Sequence, residues 1–326
     1  MEEGVAVLPR RTPYWGEIPQ EELNRLISRS LEIGWRAAVE ETMPADMRDN
    51  IMSPCRAAFQ DVLPLPDGSL ILDVGAGLGA ISAELALRHR VVALEGVWER
   101  TRFTALRKRQ DRLENLTVVN CDISAMPFAP GQFDCVAVNG VLEWVGLFDQ
   151  SDTPENVQTG FLVALRRLLA PGGMVYIGIE NRFGWDQIRG APDHSGVPYT
   201  SLMPRWMARW VCAHRAGYRS DFNSSYRTYT YNFYGYQRLF RRAGLKIGSF
   251  WVAPTSYNLP AALVPMNGAA IQSYVRQQWL RPVFGARATL KNMLKKRLGT
   301  AWFWRRFGSD FVLLLEASPG ASGNSR

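Results

Sequence analysis

The sequence predicts an α/β fold in which a seven-stranded, mostly parallel sheet is covered by helices on both faces. Three observations predict it. Apolar runs alternate with helical stretches between residues 69 and 179, a glycine-rich loop follows the first run, and a further apolar run lies near the C-terminus at 311–316. Continuous apolar runs are typical of parallel strands, because helices cover both faces of their sheet.

Residues 1–66 predict a helical N-terminal cap. A first helix is predicted over 19–33, where apolar residues recur at helical spacing, and a second over 47–62. The Pro- and Gly-containing stretch at 64–68 predicts a turn between this cap and the sheet.

The sheet elements follow in alternation. The predicted strands lie at 69–74, 91–95, 116–120, 133–138, 174–179, 245–252 and 311–316. The predicted helices lie at 80–88, 98–112, 156–169 and 234–243, and the third is followed by a turn at 170–173. We therefore predict one domain over 67–318 with inserts at about 182–231 and 254–309, followed by a disordered tail at 319–326.

The composition disfavours several classes of protein. The four cysteines are scattered and form no CxxC pair, so we predict neither a disulfide framework nor a metal site. The acidic start has no apolar run behind it, and no stretch reaches the roughly 18 apolar residues of a membrane span. We expect neither a secretory signal nor a transmembrane helix, and a cytoplasmic location is favoured.

The glycine loop at 75–79 is the most informative functional feature. Gly75, Gly77 and Gly79 follow a predicted strand and open a predicted helix. Glycine allows a sharp turn and lets a ligand approach the backbone closely, and the new helix offers free N–H groups. Nucleotide-dependent dehydrogenases use a similar loop, so the glycines alone do not identify the ligand.

Acidic residues at three strand ends favour S-adenosylmethionine (SAM) over NAD. Asp73 is placed to meet an ammonium group, Glu95 suits a ribose diol, and Asp122 can accept an adenine amino group. SAM has no pyrophosphate, so its loop needs no phosphate cradle. The residues predicted to bind the cofactor are Asp73, Gly75, Ala76, Gly77, Glu95, Gly96, Asp122, Ile123 and Asn139.

The stretch at 71–79, Ile-Leu-Asp-Val-Gly-Ala-Gly-Leu-Gly, resembles the first motif of class I SAM-dependent methyltransferases. The segment 168–173 resembles the turn before strand five in that family, and the run at 311–316 resembles its reversed seventh strand. The resemblance implies a Rossmann-like fold. It also implies that Asp73, Gly75 and Gly77 line the methionine part of SAM, Glu95 the ribose and Asp122 the adenine.

A methyl acceptor in this fold lies beyond the carboxyl ends of strands four and five. A hydroxyl acceptor benefits from a general base, and His194, in a polar turn beside Asp193, is our first candidate. Glu143 is the second. The alternatives are an exposed histidine in a turn held by Asp193, and a capping or ion-pair role for Glu143. The predicted catalytic residues are His194, Asp193 and Glu143, and the predicted substrate-binding residues are Glu180, Asn181, Arg182, Tyr229 and Tyr231.

The stretch 225–231 alternates aromatic and small polar residues, which predicts an exposed strand or extended lid, with core packing as the alternative. Together with segments 13–18, 179–184 and 193–196, it resembles a branch of bacterial methyltransferases associated with surface-polysaccharide assembly and, in some members, with secondary metabolism. That resemblance implies O-methylation of a saccharide, glycolipid or related small molecule. A non-sugar natural product or an RNA is the alternative acceptor.

The net charge of +8 is concentrated in one region, since no Asp or Glu lies between Asp221 and Asp310. Within it, 287–307 predicts a basic amphipathic helix with aromatic residues at its end. Such a helix can lie on an anionic membrane surface, hold a phosphate or nucleic acid, or simply pack on the sheet. A nucleic-acid substrate is disfavoured, because 139–142 lacks the Asn/Asp-Pro-Pro motif common in enzymes that methylate base amino groups.

Two other classes of protein are compatible with the same loop. One is an NAD(P)-dependent oxidoreductase, which would bind a dinucleotide in place of SAM. The other is a non-catalytic partner protein that keeps the SAM-binding fold for assembly. Binding of NAD(P) and not SAM would indicate the first class. A cellular function that survives loss of the Asp73 carboxylate would indicate the second.

Overall fold

A computed structural model describes residues 5–8, 16, 18–147, 149, 151–215, 226–279 and 300–318. The chain divides into two compact units. Unit 1 comprises Met1–Val141 and Ala164–Tyr176. Unit 2 comprises Leu142–Val163 and Ile177–Arg326.

Unit 1 contains the N-terminal helices and the first strands. Its helices are α1 (Gln20–Ile33), α2 (Trp35–Thr42), α3 (Ala45–Met52), α4 (Ala80–Leu85) and α5 (Trp98–Gln110), with a 3-10 helix at Pro54–Val62. Its strands are β1 (Ala6–Val7), β2 (Leu70–Val74), β3 (Arg90–Glu95), β4 (Leu116–Asn120) and β5 (Phe133–Asn139). Helix α6 (Pro154–Leu168) and strand β6 (Leu169–Glu180) contribute residues to both units.

Unit 2 contains the remaining elements. Its helices are α7 (Trp185–Ile188), α8 (Arg205–His214), α9 (Phe233–Arg242), α10 (Gly268–Trp279) and α11 (Ala301–Phe307), with 3-10 turns at Leu142–Trp144 and Thr200–Leu202. Its strands are β7 (Leu245–Ala253), β8 (Val264–Pro265) and β9 (Asp310–Ala317).

The strand order in unit 1 is β1-β4-β3-β2-β5-β6. The pairs β1–β4, β4–β3, β3–β2 and β2–β5 are parallel. Val74 at the end of β2 lies opposite Leu94 of β3 on one side and Val138 of β5 on the other. Parallel pairing therefore places the carboxyl ends of β2, β3 and β5 at one edge, where ligands bind in α/β sheets.

In unit 2 the strand order is β6-β9-β7-β8, and β7 is antiparallel to β9 and to β8. The predicted α/β class with a mostly parallel sheet is confirmed, and the last two predicted strands run in opposite directions. The strand count is wrong, since the described chain has nine strands. The two additional strands, β1 and β8, have only two residues each, which is too short to produce a recognisable pattern.

The helical stretch predicted over 47–62 is helical in the structure but is interrupted at Ser53. The chain forms α3, stops at Ser53 and continues as a 3-10 helix from Pro54. Proline disfavours the α conformation in the residue before it, and the Ser53 side chain caps the new turn by accepting from the Cys55 N–H. Helix α2 was not predicted, because it follows α1 after a single glycine, Gly34, whose φ is +88°.

The prediction of an exposed strand or lid at 225–231 is also wrong for the described residues of that stretch. Tyr226, Thr228, Tyr229 and Thr230 are buried, and the segment is extended with one parallel bridge, Asn181 to Tyr231. Tyr226 and Tyr229 pack in one cluster with Ala208 and Cys212 of α8. Core packing of the insert, the alternative interpretation, describes this segment.

Candidate functional site

The glycine loop in unit 1 requires its glycines at particular positions. Gly75 and Gly79 both have a φ of +72°, and Gly77 has a φ of +56°, a region that residues with a Cβ rarely adopt. A Cβ at Gly75 would come within 2.6 Å of Val141 Cγ2, and one at Gly79 within 2.7 Å of Thr104 Cγ2. The loop therefore has the backbone conformation of a close-approach ligand site.

Glu95 connects the end of β3 to this loop. Its buried carboxylate accepts hydrogen bonds from the N–H groups of Gly77 and Val97, both at 2.8 Å. A carboxylate has lone pairs for further donors, such as ribose hydroxyls. An anionic phosphate at the loop would instead meet the negative charge of Glu95 directly.

Asp73 is buried beside the loop, and its Oδ2 accepts a hydrogen bond of 2.5 Å from Ser82 Oγ on α4. Burial raises the pKa of Asp73 to about 6, although the bond from Ser82 and the charge of Arg56 act in the opposite direction. No cationic side chain among the described residues is hydrogen-bonded to the ionised carboxylate, so a bound ammonium group would stabilise it.

Asn120, which sequence reasoning missed, fixes the segment after β3. Its buried Nδ2 donates to the carbonyl oxygens of Glu95 and Gly96 and to Thr101 Oγ1, at 3.0–3.1 Å. Asp122 follows two residues later and caps the short 3-10 turn that begins at Ile123, accepting from the Ser124 N–H at 2.8 Å. The predicted adenine contacts thus lie in a capped turn directly after β4.

Asn139 is the last residue of β5. Its Oδ1 accepts a 2.8 Å hydrogen bond from the hydroxyl of Tyr176, on whose ring Phe59 is stacked. Neither Tyr176 nor Phe59 carried a sequence signal, because their partners lie far away along the chain. Unit 1 places Asp73, the glycine loop, Glu95 and Asn139 at neighbouring carboxyl strand ends, as predicted for a cofactor site.

In unit 2, His194 lies between two carboxylates. Its Nε2 is 3.5 Å from Glu143 Oε1 and 3.4 Å from Glu180 Oε2. These contacts are ion pairs, and Nε2 has no hydrogen-bond partner among the described residues. The Trp144 ring lies beside the imidazole, with centroids 4.5 Å apart. His194, the first candidate base, therefore forms one cluster with Glu143, the second candidate, and with Glu180, a predicted substrate-binding residue.

The environment of His194 favours its protonated form. Burial lowers its pKa, but the negative charges of Glu180, Glu143 and Asp193 outweigh burial and raise it to about 9. The imidazole is consequently a cation at neutral pH, and it accepts protons most readily at higher pH.

Glu143 is fully buried, and its Oε2 has no hydrogen-bond partner among the described residues. The Tyr257 hydroxyl lies 3.4 Å from its Oε1, and the Tyr257 N–H donates to Asp310. Burial raises the pKa of Asp310 well above its ordinary value. A buried carboxylate oxygen without a donor is a place where a substrate hydroxyl or ammonium group can bind.

Asp193 does not form a hydrogen bond with His194. Its carboxylate accepts from the Ser195 N–H, the Thr200 hydroxyl and the Tyr226 hydroxyl, at 2.8–2.9 Å. These bonds fix the turn that carries His194. We therefore describe Asp193 as a residue that positions the histidine.

Four predicted substrate-binding residues use their polar groups within the protein. Asn181 donates to the carbonyls of Arg306 and Gly308, and Arg182 to those of Ser201 and Met203. The Tyr229 hydroxyl accepts from Arg209, and the Tyr231 hydroxyl donates to Gln158. Of the five residues predicted to bind substrate, Glu180 is the one that lies in the His194 cluster. Contact of the other four residues with substrate stays a prediction.

Gln158 was missed because a glutamine inside an amphipathic helix carries no functional signal. It is buried on α6, and its Nε2 donates to the carbonyls of Leu142 and Tyr229, at 2.8 and 2.9 Å. Gln158 thus joins the loop that carries Glu143 to the aromatic segment.

Several predictions fall on other parts of the chain. The tail at 319–326, residues 13–15 and 17, and the basic residues at 287–299 lie outside the described residues. Within the described part, no helix is long and apolar enough to cross a membrane. The same residues hold no group of three or more His, Cys, Asp or Glu side chains arranged to bind a metal ion.

A comparison with known protein families gives a match to part of the chain. A family model described as a methyltransferase domain matches residues 72–177. These residues are therefore similar to a methyltransferase domain. The domain begins beside Asp73 and contains the glycine loop, Glu95, Asn139 and Glu143, whereas Glu180 and His194 lie beyond its matched residues.

The methyltransferase domain also has a curated relative. Over 75 residues the chain is 37% identical to malonyl-[acyl-carrier protein] O-methyltransferase of Legionella pneumophila, a match that covers 23% of this chain and 26% of that protein. The chain therefore spans about a quarter of the length of the curated relative it matches.

Solved methyltransferase structures are similar at low identity. A putative methyltransferase of Haloferax volcanii, in complex with the activator Trm112, has 16% identity and a TM-score of 0.47, with 94% of this chain and 99% of that chain covered. Phosphoethanolamine N-methyltransferase 2 of Haemonchus contortus, in complex with SAM, has 15% identity and a TM-score of 0.47, with 94% and 62% covered.

Proposed function

We propose that this chain is a SAM-dependent methyltransferase that methylates a hydroxyl group of a saccharide, glycolipid or related small-molecule acceptor. The methyltransferase domain at 72–177 supports the reaction class. The observation that carries the acceptor chemistry is the position of His194 between Glu143 and Glu180. This cluster offers both a proton acceptor and hydrogen-bond acceptors for a hydroxyl group.

The geometry of unit 1 supports SAM in preference to a dinucleotide. SAM supplies a methyl group on a positively charged sulfur, and its own ammonium group suits the buried carboxylate of Asp73. Glu95 already accepts from the Gly77 and Val97 N–H groups and retains lone pairs for ribose hydroxyls. A pyrophosphate binds at free N–H groups of such a loop, and the Gly77 N–H is already used by Glu95.

In this proposal the neutral form of His194 takes the proton from the acceptor hydroxyl as the oxygen attacks the methyl carbon. The resulting imidazolium is stabilised by Glu143 and Glu180, whose oxygens lie 3.5 and 3.4 Å from Nε2. The unpartnered Glu143 Oε2 is available to orient a second donor of the acceptor. Alignment of the two substrates supplies the larger part of the acceleration.

The direct test incubates the protein with methyl-labelled SAM and extracts of cellular glycans and lipids. We expect label in a product whose new bond is a methyl ether, and we expect Asp73→Ala to abolish it. Absence of labelled product, together with binding of NAD(P) and not SAM, would favour the oxidoreductase alternative. Survival of the cellular function in the Asp73→Ala variant would favour the non-catalytic one.

A second candidate is N-methylation of an amine. The observation that favours it is the excess of carboxylates around a cationic His194, with Trp144 and Tyr257 nearby. Carboxylates and aromatic rings together bind substituted ammonium groups. Mass spectrometry of the hydrolysed, labelled product distinguishes the two candidates, because it shows whether the methyl group is on a nitrogen or on an oxygen atom.

A further inference from the structure

Helix α8 exposes its largest apolar side chains. Trp206 is 72% exposed and Trp210 is 61% exposed. The two residues are four positions apart, so their side chains lie on the same face of the helix, one turn apart. Exposed tryptophans at this spacing form an apolar strip on the protein surface.

The opposite face of α8 is already packed. Ala208 and Cys212, also four residues apart, are buried against Tyr226 and Tyr229. Arg205 also holds α8 against this cluster, since its guanidinium lies 3.9 Å from the Tyr229 ring centroid. An ordinary surface helix buries its large apolar residues and exposes small or polar ones. Helix α8 does the reverse, so its tryptophans do not contribute to the packing of the residues that the structure describes.

The tryptophan strip is flanked by positive charge. Arg209 and Arg215 are exposed on the helix or just after it, and His214 stacks on Trp210 with ring centroids 4.9 Å apart. No Asp or Glu occurs from His194 to Arg215. The surface therefore combines indole rings with cations and has no acidic residue along this stretch.

We infer that the Trp206–Trp210 face of α8 binds an anionic membrane surface. Tryptophan is the residue that sits best at the boundary between headgroups and acyl chains, because its ring is apolar and its N–H can remain hydrated. Arginine side chains beside it attract lipid phosphates, and acidic side chains would oppose that attraction. The acid-free, basic flank selects a negatively charged lipid surface as the partner.

The surroundings of α8 extend this surface. Helices α7 and α8 both contact the 3-10 turn at Thr200–Leu202. Trp185 on α7 and Tyr199, immediately before that turn, are about half exposed, and Asp186, next to Trp185, is an exposed acidic residue at this end of the surface. Four large aromatic side chains are therefore exposed within one insert, which is more apolar exposure than a hydrated protein surface requires. This inference is independent of the acceptor proposed above and of the basic segment at 287–307.

Vesicle flotation with the full-length protein tests the inference. We expect the protein to float with vesicles of phosphatidylcholine and phosphatidylglycerol, and to float weakly with phosphatidylcholine alone or at high salt. In the double variant Trp206→Ser/Trp210→Ser, we expect the vesicle partition coefficient to fall by about tenfold or more. The variant should retain the wild-type melting temperature, because both side chains are exposed.

Two control variants test whether a loss of flotation is specific to the tryptophans of α8. Leu31→Ser/Leu87→Ser removes two side chains that are each 63% exposed in unit 1, and Trp302→Ser removes one that is 53% exposed on α11. Both should float as the wild type does. The inference is overturned if the wild-type protein does not float with anionic vesicles, if the α8 double variant floats equally well, or if only Trp302→Ser loses flotation. It is also overturned if gel filtration shows that the wild type is a dimer and the double variant is not, while neither protein binds vesicles. The strip would then contact a second copy of the chain.

Discussion

Asp73 in unit 1 and His194 in unit 2 are both buried ionisable groups, and both have a raised pKa for different reasons. Burial disfavours the negative form of Asp73 and raises its pKa to about 6. Burial also disfavours the positive form of His194, but the carboxylates of Glu180 and Glu143 overcome that effect and raise its pKa to about 9. One group has no cationic partner in contact, and the other is surrounded by anions.

This difference separates the tasks of the two sites. Asp73 is ionised at neutral pH, and the charge of Arg56 and the hydrogen bond from Ser82 offset its burial in part, so a cationic ligand in contact would stabilise it further. His194 already has its counter-charges, so it holds a proton until a reaction or a rise in pH removes it. In the function proposed above, the first site binds the ammonium group of SAM and the second accepts the proton of the acceptor hydroxyl.

The largest expected effect is on catalysis in unit 2. Substitution His194→Ala should lower turnover by about 10²–10⁴-fold, because a positioned proton acceptor contributes about that factor. The affinity for SAM should remain close to that of the wild type. Turnover of labelled SAM and titration calorimetry measure the two quantities, and His214→Ala is the matched control on an exposed histidine. Undiminished turnover in His194→Ala removes this residue from the mechanism.

The next effect concerns unit 1. Substitution Asp73→Asn keeps the shape of the side chain and a partner for Ser82 but removes the negative charge. The affinity for SAM should fall by on the order of a hundredfold, since a buried charge pair is lost, while the melting temperature of the ligand-free protein should not decrease. Ser82→Ala, which keeps the charge, should weaken binding less. A simultaneous loss of binding and of stability would contradict the view that Asp73 is held for a ligand.

A third effect is the pH dependence of stability from His194. Its folded-state pKa of about 9 lies above the ordinary 6.5, so its stabilising contribution is complete below pH 6.5 and is lost as the pH rises through 9. That contribution is about 3 kcal/mol for a shift of this size. Denaturant unfolding should show that the wild type loses about this much more stability than His194→Gln over the same interval. Parallel curves for the two proteins would mean that the carboxylates do not hold a proton on His194.

The smallest effect concerns the turn that positions His194. Substitution Tyr226→Phe removes one hydrogen bond to Asp193 and should cost about 1 kcal/mol of stability. Turnover should fall severalfold while the affinity for SAM is unchanged, because two other donors still hold Asp193. Tyr234→Phe, on a partly exposed ring, serves as the control. Equal turnover in both variants would show that the turn does not depend on this bond.

Most of the fold was predictable because its signals are local. Each predicted strand of the sheet is a continuous apolar run, and the glycine loop follows from residues adjacent in the sequence. The 3-10 break at Pro54 was also readable in principle, since proline marks such a boundary. The strands β1 and β8 were not, because two residues contain no period and their pairing depends on distant partners.

Prediction was less complete for the candidate site. The grouping of Glu143, Glu180 and His194 followed from strand-end positions and a polar turn, and the structure places these side chains together. The supporting residues Asn120, Gln158, Tyr176 and Asp310 were missed, because each acts through partners that are distant in sequence or are backbone carbonyls. Asn181 and Arg182 donate to backbone carbonyls, which the sequence does not reveal, and their contact with substrate stays a prediction.

The pH dependence of SAM binding tests the central claim most directly. Titration calorimetry with SAM should give an affinity that is constant above pH 6 and falls by about tenfold for each pH unit below it, as Asp73 becomes protonated. Asp73→Asn should bind weakly and without this dependence, and NAD(P) should not bind either protein. Binding of SAM that is equally strong in both proteins at every pH, or binding of NAD(P) in place of SAM, would contradict the account.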